Sequence, residues 1–292
     1  QGASSSQGAS SSGEAASSSG HKRKLEPEDV YPTQAQIIAG ANVANGERYP
    51  TDDELMEAAL PAQVADWRAT RLVLEFCCSE TSLMGSNAYQ TGNCLVVRLT
   101  AERDMASQAG IAYAMNVINN MGEGVYVFLW ASMPCTGGSP WQRMNKKRAS
   151  ARARIAEHLG LHHQLFDNWL LLAHAVRARG GDLALEWPRS GDYWRLSHVV
   201  EAMERYAMSK VHFDGCALGL TSRYSELPIR KPWTIATTAP ILFHAFSDLR
   251  CPGHVQHAPG AGGDTTATEN YTPRMVELIH RAIEAEAIAA SF

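Results

Sequence analysis

Hydrophobic positions from residue 71 onward fall into two alternating patterns: short apolar runs of strand length, and longer stretches with apolar residues three and four apart. Arg71–Phe76 reads as a strand, followed by a polar turn over 77–82 and a short helix from Leu83. Leu95–Leu99 reads as a second strand. A helix is expected from Met105 to about Asn119, with Asp104 as its N-cap and Ile111, Met115 and Ile118 on one face. Val125–Trp130 is the third and most apolar strand. It breaks off into Pro134-Cys135-Thr136-Gly137-Gly138-Ser139-Pro140, a small-residue loop. A long helix is expected over 150–178, carrying Ile155, Leu159, Phe166, Trp169 and Val176 and stopped by Gly180-Gly181. Asp182–Glu186 is a fourth strand ending in Trp187-Pro188. A helix near 195–208 then leads to a strand over 211–214. A late strand covers 232–238, and Thr272-Pro273 opens a final helix. Strands separated by helices predict an α/β fold: a Rossmann-like, mostly parallel sheet with helices on both faces.

The first 50 residues have no such pattern. QGASSS occurs twice and GEAASSS follows, a composition too poor in apolar surface to offset the entropy of ordering. Residues 1–50 are expected to be a disordered linker and 51–292 one α/β domain, with a short helix over 51–67. His21-Lys22-Arg23-Lys24 is either an import signal or, by the simpler reading, solvated linker. The net charge of −4 leaves no global field to attract a polyanion, so any basic surface must be local. Six scattered cysteines do not form a disulfide framework, which points to a reducing compartment, nuclear or cytoplasmic. No apolar run is long enough to span a membrane, and no signal peptide is visible. The chain begins with Gln1. It is therefore expected to be a processed product or part of a longer polyprotein.

Three strand ends carry polar chemistry: Glu75-Phe76-Cys77, Pro134-Cys135 and Glu186-Trp187-Pro188. In a parallel sheet all three open on one edge, where α/β proteins bind ligands. Cys135 is placed there as a nucleophile or, alternatively, is a packed thiol. Glu186 is an acid–base group or a carboxylate capping the next turn.

In this order, a strand running into Pro-Cys-x-x-x-Ser and then a helix and a strand ending in Glu resembles the cytosine-5 methyltransferases of nucleic acids. The likeness covers about residues 70–240 and extends to Arg230-Lys231, which matches the family's later arginine motif. It implies a class I methyltransferase-like fold and S-adenosylmethionine as cofactor. The reaction implied is methyl transfer to carbon 5 of cytosine, in DNA more readily than RNA, through a covalent Cys135 intermediate. It implies Cys135, Glu186 and Arg230 (or Lys231) as catalytic residues. Glu75, Phe76, Cys77, Ser79, Thr100, Asp104 and Pro134 then line the cofactor, in a pocket between residues 75–82, 99–104 and 131–135. The chain departs from the family at its first motif, where Cys77-Cys78-Ser79-Glu80-Thr81-Ser82 stands in place of a glycine-rich loop. One strand and helix before the cysteine strand are also missing.

Arg143, Lys146, Lys147, Arg148 and Arg152, with Arg154, crowd cations at the start of a helix, where the dipole disfavours them. A nucleic-acid phosphate backbone would compensate; a solvated face is the plainer account. Cys251-x-x-His254-x-x-His257, with Cys216, has the residue types of a structural zinc site. Only one ligand cluster is evident in sequence, so no metal is expected and these residues stay a weak candidate. Two further functions compete: a non-catalytic nucleic-acid-binding or structural module on the same fold, and a cysteine hydrolase pairing Cys135 with His212 or His254.

Overall fold

A computed structural model describes residues 69–90, 92–260 and 263–292. The expected linker over 1–50, with its basic cluster, and the expected helix over 51–67 lie outside the described residues.

Six strands form one sheet: β1 (Arg71–Phe76), β2 (Cys94–Leu99), β3 (Tyr126–Ala131), β4 (Asp182–Pro188), β5 (Ser209–Asp214) and β6 (Pro232–Thr237). Their order is β2-β1-β3-β4-β6-β5. The pairs β2–β1, β1–β3 and β3–β4 are parallel, while β6 runs antiparallel to both β4 and β5. The mostly parallel α/β sheet expected from the alternation is therefore present, with a single reversed strand inserted next to the edge.

The helices are α1 (Gln108–Asn119), α2 (Trp141–Asn145), α3 (Ala149–Ala178), α4 (Ser197–Arg205), α5 (Pro240–Ser247), α6 (Gly263–Ala267) and α7 (Pro273–Ala289). Alternation along each strand splits the core in two. Leu72, Leu74, Phe76, Leu129 and Leu185 pack with Ile118, Phe166 and Trp169 beneath α1, α3 and α4. Val73, Phe128, Trp130 and Ile235 pack with Leu242, Phe246, Met275 and Ile279 beneath α5 and α7. Helices thus cover both faces: α1, α3 and α4 come from the connections between strands, and α5 and α7 from the chain after β6.

Local signals explain most element ends. Gly180, at φ +74°, closes α3. The Gly181 N–H reaches the Val176 carbonyl at 3.0 Å and the Gly180 N–H reaches Arg177 at 3.0 Å, a Schellman termination. The Thr272 hydroxyl accepts the Met275 N–H at 3.2 Å, capping α7 as expected. Asp104 is not the cap of α1. Ser107 is, accepting the Gly110 N–H at 3.0 Å. Asp104 instead lies in the left-handed region and takes the Ala106 N–H at 3.2 Å, closing the preceding turn. The connection from β1 to β2 holds only a 3-10 turn at Leu83–Gly85. The helix that packs against this turn is the C-terminal α7, whose buried His280 sits 2.9 Å from the Met84 carbonyl.

Candidate active site

Strand order reverses between β1 and β3, so the crevice at their C-terminal ends is the expected ligand site of such a sheet. The loop after β3 carries Cys135 along this edge, and Glu186 lies one residue past the Ala131–Leu185 pair on β4. Two packing contacts hold the cysteine loop. The buried indole of Trp187 donates to the Met133 carbonyl at 2.9 Å, tying β4 to the residues before Cys135. The buried ring of Tyr193 lies against Gly137 and Gly138. A Cβ on Gly138 would sit 2.5 Å from that ring, so the loop can pass only because it is glycine there. Behind Tyr193, buried His162 stacks at 3.7 Å, its pKa pushed down to about 3 by burial.

Glu186 points to the opposite face from Trp187. One carboxylate oxygen accepts the Tyr271 hydroxyl at 2.9 Å. The other is buried with no hydrogen-bond partner among the described residues. Burial raises its pKa from 4.5 to about 7, opposed by Lys231 and by the Tyr271 hydrogen bond. Lys231 is half-buried, within electrostatic reach of both Glu186 and Cys135, and donates to the Thr268 carbonyl. Burial lowers its pKa. The Cys135 thiol is pushed up by burial and by the Glu186 charge, with Lys231 acting against them. Cys135, Glu186 and Lys231 are therefore one electrostatic unit.

Arg230, the expected catalytic cation, is placed differently. Its guanidinium pairs with buried Asp214 at 3.6 Å. Alternation along the segment entering β6 sends Lys231, not Arg230, toward the cysteine.

At the end of β1, Glu75 is buried beside Ser82, whose hydroxyl donates to it, and it keeps one oxygen without a hydrogen-bond partner. Burial lifts its pKa from 4.5 to about 7 against the Ser82 hydrogen bond and the Arg98 charge. Cys77 follows with φ +60°, a backbone conformation that glycine adopts without strain. Its thiol is pushed up to about 12 by burial. Ser79 is exposed, with its hydroxyl 3.4 Å from that of Thr81, and Phe76 is core. Pro134 is exposed at the loop.

An open cleft of ≈ 400 Å³ runs from Thr81 and Leu83 past Gly219–Thr221 and Arg223 to Asn270, Tyr271 and Thr272. One wall matches the expected pocket. None of the expected cofactor residues Glu75, Phe76, Cys77, Ser79, Thr100, Asp104 and Pro134 lines it; the match is confined to Thr81 of the 75–82 loop, and the turn of Thr100 and Asp104 leads into α1 on the other face of the sheet. Tyr271 was not legible as a site residue. It lies 85 positions from Glu186 and is brought in by α7, yet its hydroxyl also meets Ser132 and takes the Trp130 indole N–H at 2.9 Å.

In the basic run, Arg143 is committed to Asp192, its Nε at 3.1 Å. Lys146, Lys147, Arg148 and Arg152 are exposed, and no ion pair engages them among the described residues. Trp141 and Met144, on the same short α2, are 69% and 58% exposed. No histidine hydrogen-bonds Cys135 among the described residues. His212 is 2.6 Å from the Thr234 hydroxyl, and His254 belongs to a separate cluster with Cys216, Cys251 and His257.

Compared with known protein families, with curated proteins and with solved structures, the chain matches none. No helix among the described residues is long and apolar enough to cross a membrane.

Proposed function

We propose that this chain is a cytosine-5 methyltransferase of nucleic acid, working through Cys135. The reading is carried by one observation: Cys135 and a buried carboxylate whose pKa is raised to about 7 stand at the ends of adjacent parallel strands, with Lys231, at the entry to β6, within electrostatic reach of both. The mostly parallel sheet with helices on both faces agrees with the fold that the sequence resemblance implies. Among the described residues no histidine hydrogen-bonds Cys135, which disfavours the hydrolase.

The residues present fit S-adenosylmethionine. Glu75 offers a buried carboxylate oxygen at the end of β1 and Cys77 takes a glycine-like turn, while Thr81 and Leu83 of the same connection line a cleft large enough for a small ligand. When bound, the cofactor supplies a methyl group as a cation equivalent and leaves as a neutral thioether.

The chain's own residues do the rest. The Cys135 thiol loses its proton to water, helped by the Lys231 charge, and the thiolate adds to carbon 6 of the cytosine. The electron pair of the 5,6 double bond moves toward carbon 5 and ring nitrogen 3. Protonated Glu186 donates a hydrogen bond to that nitrogen, stabilising the charge that develops. Carbon 5 takes the methyl group, its proton then leaves to water, and the carbon 6–sulfur bond breaks to restore the thiolate. A duplex base must be flipped out to reach this site. Exposed Trp141 and the exposed Lys146, Lys147, Arg148 and Arg152 after it form a surface following the cysteine loop suited to a stacked base and phosphates.

An oligonucleotide carrying 5-fluorocytosine tests this, because fluorine cannot leave as a cation. With S-adenosylmethionine present, a covalent adduct stable to denaturing electrophoresis should accumulate. Cys135→Ser should abolish it, and Glu186→Gln should slow its formation. An adduct that survives Cys135→Ser refutes the chosen nucleophile. Nucleic-acid binding with neither adduct nor cofactor binding would establish the non-catalytic module instead.

A further inference from the structure

Well away in sequence from Cys135, four side chains converge beside the outermost strand, β5. Cys216 lies on the 3-10 turn Gly215–Leu218 that follows β5. Cys251, His254 and His257 lie on the irregular segment after α5. One ligand atom from each lies within 4.8 Å of all the others. The Cys251 sulfur is 3.3 Å from His257 Nε2.

A tetrahedral zinc ion needs such spacing. Bonds of about 2.3 Å to sulfur and about 2.0–2.1 Å to nitrogen set ligand–ligand edges of roughly 3.3–3.8 Å. Two thiolates and two imidazoles also match zinc by ligand type; harder cations prefer oxygen. The sequence shows only one ligand cluster, and Cys216, 35 residues earlier, completes the set only once β5 and α5 are in place.

Two features around the cluster point the same way. Among the described residues, 252–257 make no backbone–backbone hydrogen bond, and Val255 is fully exposed. Nothing apolar anchors this segment between Leu249 and Ala258. Its approach to the turn is nevertheless built. The Asp214 N–H donates to Leu249 at 2.9 Å, and the Asp214 carboxylate accepts the Cys251 N–H at 3.1 Å. The backbone amides of Gly253 and His254 also face the Cys251 sulfur.

We propose that Cys216, Cys251, His254 and His257 bind one structural Zn²⁺. Four protein ligands close the coordination sphere, so the ion holds the fold and leaves no position for substrate. It staples the 251–257 segment to the turn after β5. That turn also receives β6's entry: the Gly215 N–H donates to the carbonyls of Arg230 and Lys231, at 2.9 and 3.0 Å. The ion therefore braces the backbone from which Lys231 projects. This inference does not depend on the proposed methyl transfer.

Metal analysis of the full chain, purified from zinc-supplemented culture, should give one equivalent of zinc that survives dialysis. Zinc-edge X-ray absorption on that wild-type protein should report two sulfur and two nitrogen neighbours. Cobalt replacement should give the visible bands of a tetrahedral thiolate site. Cys251→Ser and His257→Ala should each lower metal content, while Cys94→Ser leaves it unchanged. Wild-type protein without tightly held metal, or an absorption spectrum without sulfur neighbours, would overturn the proposal. Both readouts use the unaltered chain, so misfolding of a variant cannot mask the answer.

Discussion

Glu186 ends β4 with one oxygen on the Tyr271 hydroxyl and the other unpartnered in a buried setting. Desolvation outweighs its neighbours and holds its pKa near 7. A raised carboxylate costs stability in a defined window. Below the unfolded value of about 4.5 both states are protonated and the group is neutral in its effect. Between about 4.5 and 7 the unfolded chain ionises while the folded one stays protonated, so stability falls as pH rises. Above about 7 the loss is complete, roughly 3 kcal/mol. Glu186→Gln should remove this slope. Its unfolding free energy, relative to wild type, should rise between pH 5 and pH 8 in parallel denaturant titrations. A difference that stays flat with pH would mean that Glu186 is ionised throughout. The same residue makes an effective proton donor near neutrality, so its chemistry and its cost have one cause.

Among elements, the loop between β3 and α2 is closely constrained by the residues packed on it. Tyr193 is buried against it and cannot swing away, since His162 stacks behind it. Gly138→Ala places a methyl group 2.5 Å from the Tyr193 ring. Overpacking of this kind costs about 1–3 kcal/mol. The Tm should fall, and the adduct with 5-fluorocytosine should form more slowly because Cys135 shifts with the loop. An unchanged Tm would show that the loop is free to move off Tyr193. The long helix that follows begins at Ala149 with no side-chain cap and with basic residues over its first turn. Its start is thus open to an anion, although its packing does not require one.

Across the whole molecule, charge is distributed against the net value. The chain carries −4, yet Lys146, Lys147, Arg148 and Arg152 stand exposed on one side of the cysteine loop. If they meet phosphates, affinity for nucleic acid should fall steeply with salt. Each contact contributes roughly 0.7–0.9 to the slope of log K against log salt. Replacing all four with Gln should flatten that slope by roughly 3. Binding measured by fluorescence anisotropy at several salt concentrations checks this; an unchanged slope would make the run a solvated face. Arg143 is a poorer target, because Asp192 already holds it.

Element type and the α/β class were legible along the chain, because burial on a sheet or against a helix imposes periods that composition must obey. Arg71–Phe76 forms the strand expected of it, and the Gly180-Gly181 stop and the Thr272 cap act through neighbours a few residues away. Cys135 and Glu186 were likewise visible, since each ends an apolar run. The partners of those residues were not. Tyr271 reaches Glu186 only because α7 folds back over the sheet, and Lys231 rather than Arg230 comes within electrostatic reach of Cys135 because alternation along the segment entering β6 leaves Arg230 on Asp214. Cys216 meets Cys251 only after β5 and α5 pack together. Strand direction and long-range packing depend on which faces are left to cover once the local elements exist. That choice is made by the folded whole, and it decides which polar groups share a site.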